Sequence, residues 1–302
     1  MLGATGVLRA RSWIASRFQR ILTRTQFTDH DRKQLDTHVN GVKRRLETSF
    51  RTHQQLLIGS SARGSAIRQS SDVDLMLVLR MPELRRGDRL VSSFTTLDRV
   101  RQELESRFWN SELGRDYQAI TVQFRDGQYA VDVVPGGFWG IENKIPLYLI
   151  PDGAGEWMTT SPRTHNAYIG RANLRSGGKL RNVARLAKYW RWCRTPELPL
   201  NSFHVEMLLA STLLADGAKS YGQCMYELFD SLRARRCRGL QNPLGFGGVI
   251  AVANTDAKLD KVFASVDFSA EHAGAALLAE SEGEMTEAVR QWNLVFNGGF
   301  SS

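Results

Sequence analysis

Only three cysteines occur in the 302 residues, Cys193, Cys224 and Cys237, an odd number with no CxxC pair among them. That excludes a disulfide framework and a cysteine-built zinc site, and it fits a reducing, cytoplasmic compartment. No apolar run is long enough to span a bilayer, so no membrane association is expected. Neither an internal repeat nor a low-complexity linker divides the chain. Acids are missing from the first segment, where none precedes Asp29. The Arg-rich stretch Met1–Phe27 shares that composition with transit peptides. However, Leu8, Trp13, Ile14, Phe18, Ile21 and Leu22 recur near helical spacing and predict an ordinary amphipathic first helix.

A hydrophobic fraction of 42% is ordinary for a globular chain, and the length supplies one large or two medium cores. The net charge of +9 attracts polyanions such as nucleotides, although a basic balance alone does not specify nucleic-acid binding.

The informative stretch is Leu56–Leu79, LLIGSSARGSAIRQSSDVDLMLVL. A short apolar strand, Leu56–Ile58, breaks at Gly59-Ser60-Ser61, and a second strand over Asp72–Leu79 carries Asp72 and Asp74 at alternate positions. Side chains at i and i+2 of a strand share a face, about 7 Å apart. For an arbitrary DxD the plain reading is two solvent-facing acids. Here Val73, Leu75, Leu77 and Leu79 form one apolar face, and the acids share the other with Met76 and Val78. Burying unpaired carboxylates is costly, so a cation partner is the simplest account. Hard divalent ions take oxygen ligands, typically a few carboxylates plus substrate phosphates. A glycine lets backbone approach a phosphate closely, and the N–H groups after it form an anion-binding concavity.

GSSARGSAIRQSSDVDLMLV resembles the signature of the DNA polymerase β-like nucleotidyltransferases. More narrowly it resembles the bacterial CD-NTases, relatives of cyclic GMP-AMP synthase and oligoadenylate synthase. The implied fold is α+β: a nucleotidyltransferase lobe with a mixed sheet, a helical second lobe, and an active cleft between them. The lobes would divide at residues 1–155 and 156–302, with the N-terminal helices in the first.

Thr28-Asp29-His30-Asp31 predicts a capping box opening a helix that runs to about His53. A polar loop over Met81–Asp88 precedes a helix from Phe94 to near Asn110. Strands Tyr117–Phe124 and Tyr129–Val134 follow, joined through Asp126-Gly127 as a hairpin. The second holds Asp132, at the position where the resemblance implies a third catalytic carboxylate. Pro135–Gly155 reads as loop and turn with a short apolar piece at Ile145–Ile150, and Ser161-Pro162 opens a helix. In that helix His165, Asn166 and Tyr168 are equally readable as base-contacting or as plain packing. The helix Gly178–Cys193 carries a basic row, Arg181, Arg185 and Lys188, whose commonest fate is solvation. LAKYWR followed by LNSFHVEMLL changes that weighting, because it resembles the second-lobe signature of the same family. The resemblance implies that Lys188 and Ser202 hold a donor triphosphate. The chemistry agrees: Lys supplies a point charge, and Ser at a helix N-terminus adds a hydroxyl beside free N–H groups. His204 and Glu206 read as structural. A helix over Ser220–Arg235 with a solvated basic exit, a turn at Asn242–Gly248, a last helix Ser269–Phe296 and a flexible NGGFSS tail complete the chain.

The resemblance implies metal-dependent nucleotidyl transfer. Asp72, Asp74 and Asp132 would be the catalytic acids and would bind Mg²⁺, or Mn²⁺ in its place. Gly59, Ser60, Lys188 and Ser202 would hold the NTP, whether ATP, GTP, UTP or CTP. The product would be a cyclic di- or oligonucleotide messenger in bacterial anti-phage (CBASS) signalling, read by an effector protein, with a regulatory partner at the C-terminal tail. Without a zinc insertion, activation by double-stranded nucleic acid is not expected. The alternatives are transfer to RNA or tRNA 3′ ends or to a small molecule, and a catalytically silent nucleotide or RNA binder.

Overall fold

In the computed structural model, which describes residues 4–70, 72–125 and 129–301, two helices come first: α1 (Ala4–Arg24) and α2 (Asp29–Ser49). Thr28 Oγ1 accepts from the Asp31 amide at 3.2 Å, and the Asp31 carboxylate accepts from the Thr28 amide at 2.7 Å. This is the reciprocal cap that the sequence predicts. α2 stops short of His53 because strand β1 (Thr52–Leu57) starts earlier than predicted and pairs antiparallel with β2 (Val73–Leu79). Between them lies the short helix α3 (Gly59–Arg63).

A tight turn at Met81–Leu84 and a two-rung ribbon, β3 (Arg85–Arg86) with β4 (Arg89–Leu90), lead into α4 (Ser93–Arg107). The sheet then gains β5 (Glu112–Asp116), β6 (Ala119–Gln123), β7 (Ala130–Glu142), β8 (Ile145–Pro151) and β9 (Trp157–Thr160). Its order is β1-β2-β7-β6-β5, with β8 and β9 continuing from the far part of β7. Among the described residues only β2 and β7 are parallel neighbours, so the sheet is mixed.

Two expectations fail here. Tyr117, with φ of +46°, sits in the turn between β5 and β6 rather than at a strand start. Pro135–Gly155 is not a loop: β7 runs straight through Pro135-Gly136-Gly137 and returns as β8. The glycines are there for space. A Cβ on Gly136 would lie 2.2 Å from the Leu149 carbonyl oxygen, and one on Gly137 2.5 Å from Leu84 Cδ1. The predicted Asp126-Gly127 turn, the side chain of Leu8 and Ser71 of the signature lie outside the described residues.

The two faces of β2 feed different cores. Val73, Leu75, Leu77 and Leu79 pack with α2, α4, β6 and β7, while Met76 and Val78 pack with Tyr148 and Ile150 of β8.

The second half is helical: α5 (Pro162–Arg175), α6 (Lys179–Trp192), α7 (Ser202–Ser211), α8 (Tyr221–Ala234), α9 (Asp256–Glu282) and α10 (Met285–Val295). A small ribbon, β10 (Leu240–Gln241) and β11 (Val249–Ile250), lies between α8 and α9. The predicted last helix is thus two. Thr255 caps α9 far earlier than expected, and Gly283 ends it at φ of +82°. Ile14, Phe18, Ile21 and Leu22 of α1 are buried in this helical core, so α1 crosses the expected boundary at 155/156. The tail is not free either. Phe300 is buried against Phe18 and Phe296, and Arg24 Nη2 donates to the Gly299 carbonyl at 2.8 Å. Among the described residues, no helix is long and apolar enough to cross a membrane.

Candidate active site

β2 and β7 run side by side, and Asp74 stands opposite Asp132 in their register. Asp72 immediately precedes β2, two positions before Asp74. Val73, Leu75, Val131 and Val133 are buried beneath the sheet, and strand alternation turns the three acids to the opposite face. Asp72 is exposed, whereas Asp74 and Asp132 are half-buried. Thr121, the partner of Asp132 across β6, donates its hydroxyl to Asp132 Oδ1 at 2.6 Å.

The turn after β1 is fitted to these acids. The Ile58 amide donates to the Asp74 carbonyl at 2.9 Å, bringing Gly59 against the Asp74 side chain. Gly59 has φ of +64°, and a Cβ there would lie 1.8 Å from Asp74 Oδ2. Both the backbone angle and the space therefore demand glycine. Ser60 follows, half-buried in the first turn of α3.

Among the described residues, none of the three aspartates makes an ion pair. Burial pushes Asp132 up to about 7, against the Thr121 hydrogen bond and with further help from Asp72 and Asp74. Burial also raises Asp74, although Arg63 and Lys188 pull against it. Asp72 is raised for the same reason, against a hydrogen bond from the Ala130 amide. Three carboxylates held near one another at an energetic cost form an oxygen donor set suited to a hard divalent cation. Among the described residues no three His, Cys, Asp or Glu side chains stand close enough together to hold a metal ion as they are placed.

The helical half meets this site through Glu206. Its carboxylate, 1% exposed, accepts from Arg63 Nε at 2.5 Å and from Ser65 Oγ at 2.8 Å, with Lys188 Nζ 3.6 Å away. Burial alone would push Glu206 up, but the Arg63 and Lys188 charges and the hydrogen bonds outweigh it and hold the carboxyl below its ordinary value. Arg63 is the nearer partner, so Lys188 is less well compensated and burial lowers its ammonium to about 8. The basic row of α6 is not simply solvated: Arg185 Nη2 donates to the Gly64 carbonyl at 2.8 Å.

Ser202 opens α7 behind the N-cap Asn201, and its hydroxyl accepts from Arg191 Nη1 at 3.1 Å. A cleft of about 440 Å³ is lined by Asp72 together with Ser70, Arg191, Glu197, Leu198 and Pro199. The structure thus brings Asp72, Asp74, Asp132 and Gly59 together. It places Lys188 beside Glu206 and within electrostatic reach of Asp74, and it leaves Ser202 bonded to Arg191, whose charge acts on Asp72.

His204 is structural as expected, its Nδ1 2.9 Å from the Ile250 carbonyl oxygen. His165 packs between the rings of Phe203 and Phe246, with Nε2 3.1 Å from Asn242 Nδ2, and burial takes it down to about 4. Its role is packing rather than base reading. Sequence reasoning missed Arg63, Thr121, Arg191 and Glu197. It also missed the ionic part played by Glu206. A signal was available there: Glu206 is the lone charged residue in the otherwise apolar segment Val205–Ala210.

Residues 13–173, just over half of the chain, match the Second Messenger Oligonucleotide or Dinucleotide Synthetase domain. The chain belongs to this family. It is a nucleotidyltransferase of the cyclic nucleotide synthase (CD-NTase) type. A probable cyclic nucleotide synthase of Bacillus cereus is 24% identical over 275 residues, covering 81% of both chains. The structure of CdnC from Escherichia coli MS115-1 with ATP superposes with a TM-score of 0.71 at 21% identity, covering 95% of this chain and 98% of CdnC. The CdnC:HORMA-deltaN complex gives 0.69 at 20% identity, covering 96% and 98%. For a synthetase of this family, the acids of β2 and β7 and the Gly59 turn occupy the stretch that carries the family match.

Proposed function

We propose that this synthetase carries out metal-dependent nucleotidyl transfer between NTPs, ending in a cyclic di- or oligonucleotide messenger, in the bacterial cytoplasm as part of anti-phage signalling. One observation carries the chemistry: Asp74 and Asp132 in register across parallel strands, with Asp72 beside them, against a glycine turn that admits no side chain. Asp72, Asp74 and Asp132 would hold Mg²⁺ or Mn²⁺. The bound ions would supply charge neutralisation at the transferring phosphoryl group and a lowered pKa at the acceptor hydroxyl. The chain's own contribution is placement. Gly59 and Ser60 receive the phosphates, Ser202 at the start of α7 offers a hydroxyl, and Lys188 adds a positive charge behind Asp74. Thr121 fixes the rotamer of Asp132 at the acceptor side. Positioning and preorganised charge supply most of the rate in such transfers.

The ATP in the CdnC structure supports an NTP substrate, and its HORMA complex supports a regulatory protein partner. Near the end of the described residues, Phe300 is buried in the helical core. The test is direct. With Mg²⁺ or Mn²⁺ and labelled NTPs, the protein should release pyrophosphate and form a phosphatase-resistant product. Asp72→Asn with Asp74→Asn should lower that rate by about 10³-fold or more. Unchanged turnover in the double variant would overturn the assignment.

A further inference from the structure

The mouth of the cleft is crossed by an ion pair. Arg191, in the last turn of α6, pairs through Nη2 with Glu197 in the connection to α7. The same guanidinium donates to the Leu200 carbonyl at 2.9 Å, to Ser202 Oγ at 3.1 Å and to Ser70 Oγ at 3.3 Å. Ser70 in turn donates to Glu197 Oε1 at 2.5 Å. Arg191 Nε is buried with no acceptor among the described residues. Among the described residues lining the cleft that holds Asp72, Arg191 is the one cation, and Glu197 is an acid facing the same space.

A carboxylate and a phosphate compete for the same guanidinium donors, and the more highly charged oxyanion makes the stronger bonds. Glu197 is about one-third exposed, at 35%, so it can turn out into water, whereas Arg191 at 22% is anchored by Leu200 and Ser202. We propose that Arg191 is a triphosphate-binding residue and that Glu197 is its resident counter-ion, displaced by the phosphates of the incoming nucleotide. This rests on the nucleotidyl-transfer reading above and adds to it a built-in brake. The resting cleft is closed electrostatically by its own acid, and re-pairing of Glu197 with Arg191 favours departure of the pyrophosphate.

The test is calorimetric titration of the full chain in Mg²⁺ with inorganic tripolyphosphate, a non-hydrolysable ATP analogue and adenosine. Arg191→Met should weaken tripolyphosphate and the analogue by about 10- to 100-fold, the worth of a charged hydrogen bond, and leave adenosine within about twofold. Glu197→Gln should tighten both phosphate ligands by about two- to fivefold, the range of a part-exposed pair. That gain should vanish when Arg191→Met is combined with it. A purely structural arginine, holding only the Leu200 carbonyl, predicts no gain in Glu197→Gln. No tightening in Glu197→Gln would overturn the proposal, as would equal losses of adenosine and tripolyphosphate in Arg191→Met. Because Glu197→Gln leaves the Leu200 and Ser202 anchors in place, it decides the matter even if Arg191→Met folds poorly. Wild-type protein that neither binds tripolyphosphate nor turns over NTPs would bring down both this proposal and the nucleotidyl-transfer reading. Turnover with normal tripolyphosphate binding in Arg191→Met would bring down this one alone.

Discussion

Glu206 and Asp132 are both carboxylates withdrawn from water near the same cleft, and their surroundings drive them in opposite directions. Glu206 is fully enclosed, with Arg63, Ser65 and Lys188 around it, and its carboxyl is held down. Asp132 is driven up to about 7 by burial first, with Asp72 and Asp74 adding to it and one hydroxyl for relief. The deeper acid is thus the satisfied one. Glu206 joins α3 of the sheet half to α6 and α7 of the helical half; the aspartates carry an electrostatic cost that protonation or a bound cation relieves. A buried ion pair is weak support for net stability, since an apolar replacement of the whole group often does as well. Its use here is registry: it fixes the Gly59 turn and Lys188 relative to each other.

The comparison breaks most visibly if each acid is removed. Glu206→Ala leaves Arg63 and Lys188, 8% and 6% exposed, as buried cations without a counter-charge. The expected loss is about 3–5 kcal/mol of unfolding free energy, read from urea or guanidinium melts. Asp74→Asn under the same conditions without divalent cations should be neutral or stabilising, because the cost of burying its charge outweighs the attraction of Arg63 and Lys188. Similar costs for the two substitutions would show that the aspartates are structural after all.

A second, smaller effect lies in pH. The folded carboxyl of Asp132 titrates at about 7 against an ordinary value of 3.8. Its contribution to the stability of the metal-free protein is therefore full below about pH 4 and is lost as pH rises through 7. Asp132→Asn should melt higher than wild type at pH 8 in EDTA, by on the order of 2 kcal/mol after solvent screening, and match it at pH 4. Adding Mg²⁺ at pH 8 should stabilise wild type and leave Asp132→Asn nearly unmoved. A difference between the two proteins that is constant with pH would contradict the titration.

How far these acids could be read in advance follows from chain proximity. Gly59, Ser60, Asp72 and Asp74 lie within one short stretch whose spacing alone implies a strand, a turn and a strand with both acids on one face. Asp132 is brought in by sheet pairing far along the chain, and nothing between Val131 and Val133 marks it except family resemblance. Arg63 sat inside the signature with no visible partner, because Glu206 is supplied by a helix 143 residues later. The long β7–β8 hairpin was hidden for a different reason. Pro135, Gly136 and Gly137 are ordinarily turn formers, and here the two glycines are the residues small enough to pass the Leu149 carbonyl and the Leu84 side chain. The break between α9 and α10 was legible at Gly283, whereas the long acidic helix pattern around it masked the stop.

The smallest expected effect separates the fine tuning of Asp132 from its burial. Thr121 is its sole side-chain donor among the described residues, at 2.6 Å, and the bond favours the charged form. Thr121→Val keeps the shape and removes the donor; Thr121→Ser keeps the donor and removes a methyl. A hydrogen bond to a charged group is worth about 1.5–3 kcal/mol when lost, of which a half-exposed site recovers part from water. The acid limb of the pH–rate profile should therefore move up by about one unit in Thr121→Val and stay in place in Thr121→Ser. Because burial of Asp132 is the same in both variants, an equal shift in the two would assign the raised carboxyl to packing alone. A shift in Thr121→Val only would show that β6 tunes the acid which β7 positions, in contrast to Glu206, whose cationic partners hold it ionised whatever its hydroxyl donor does.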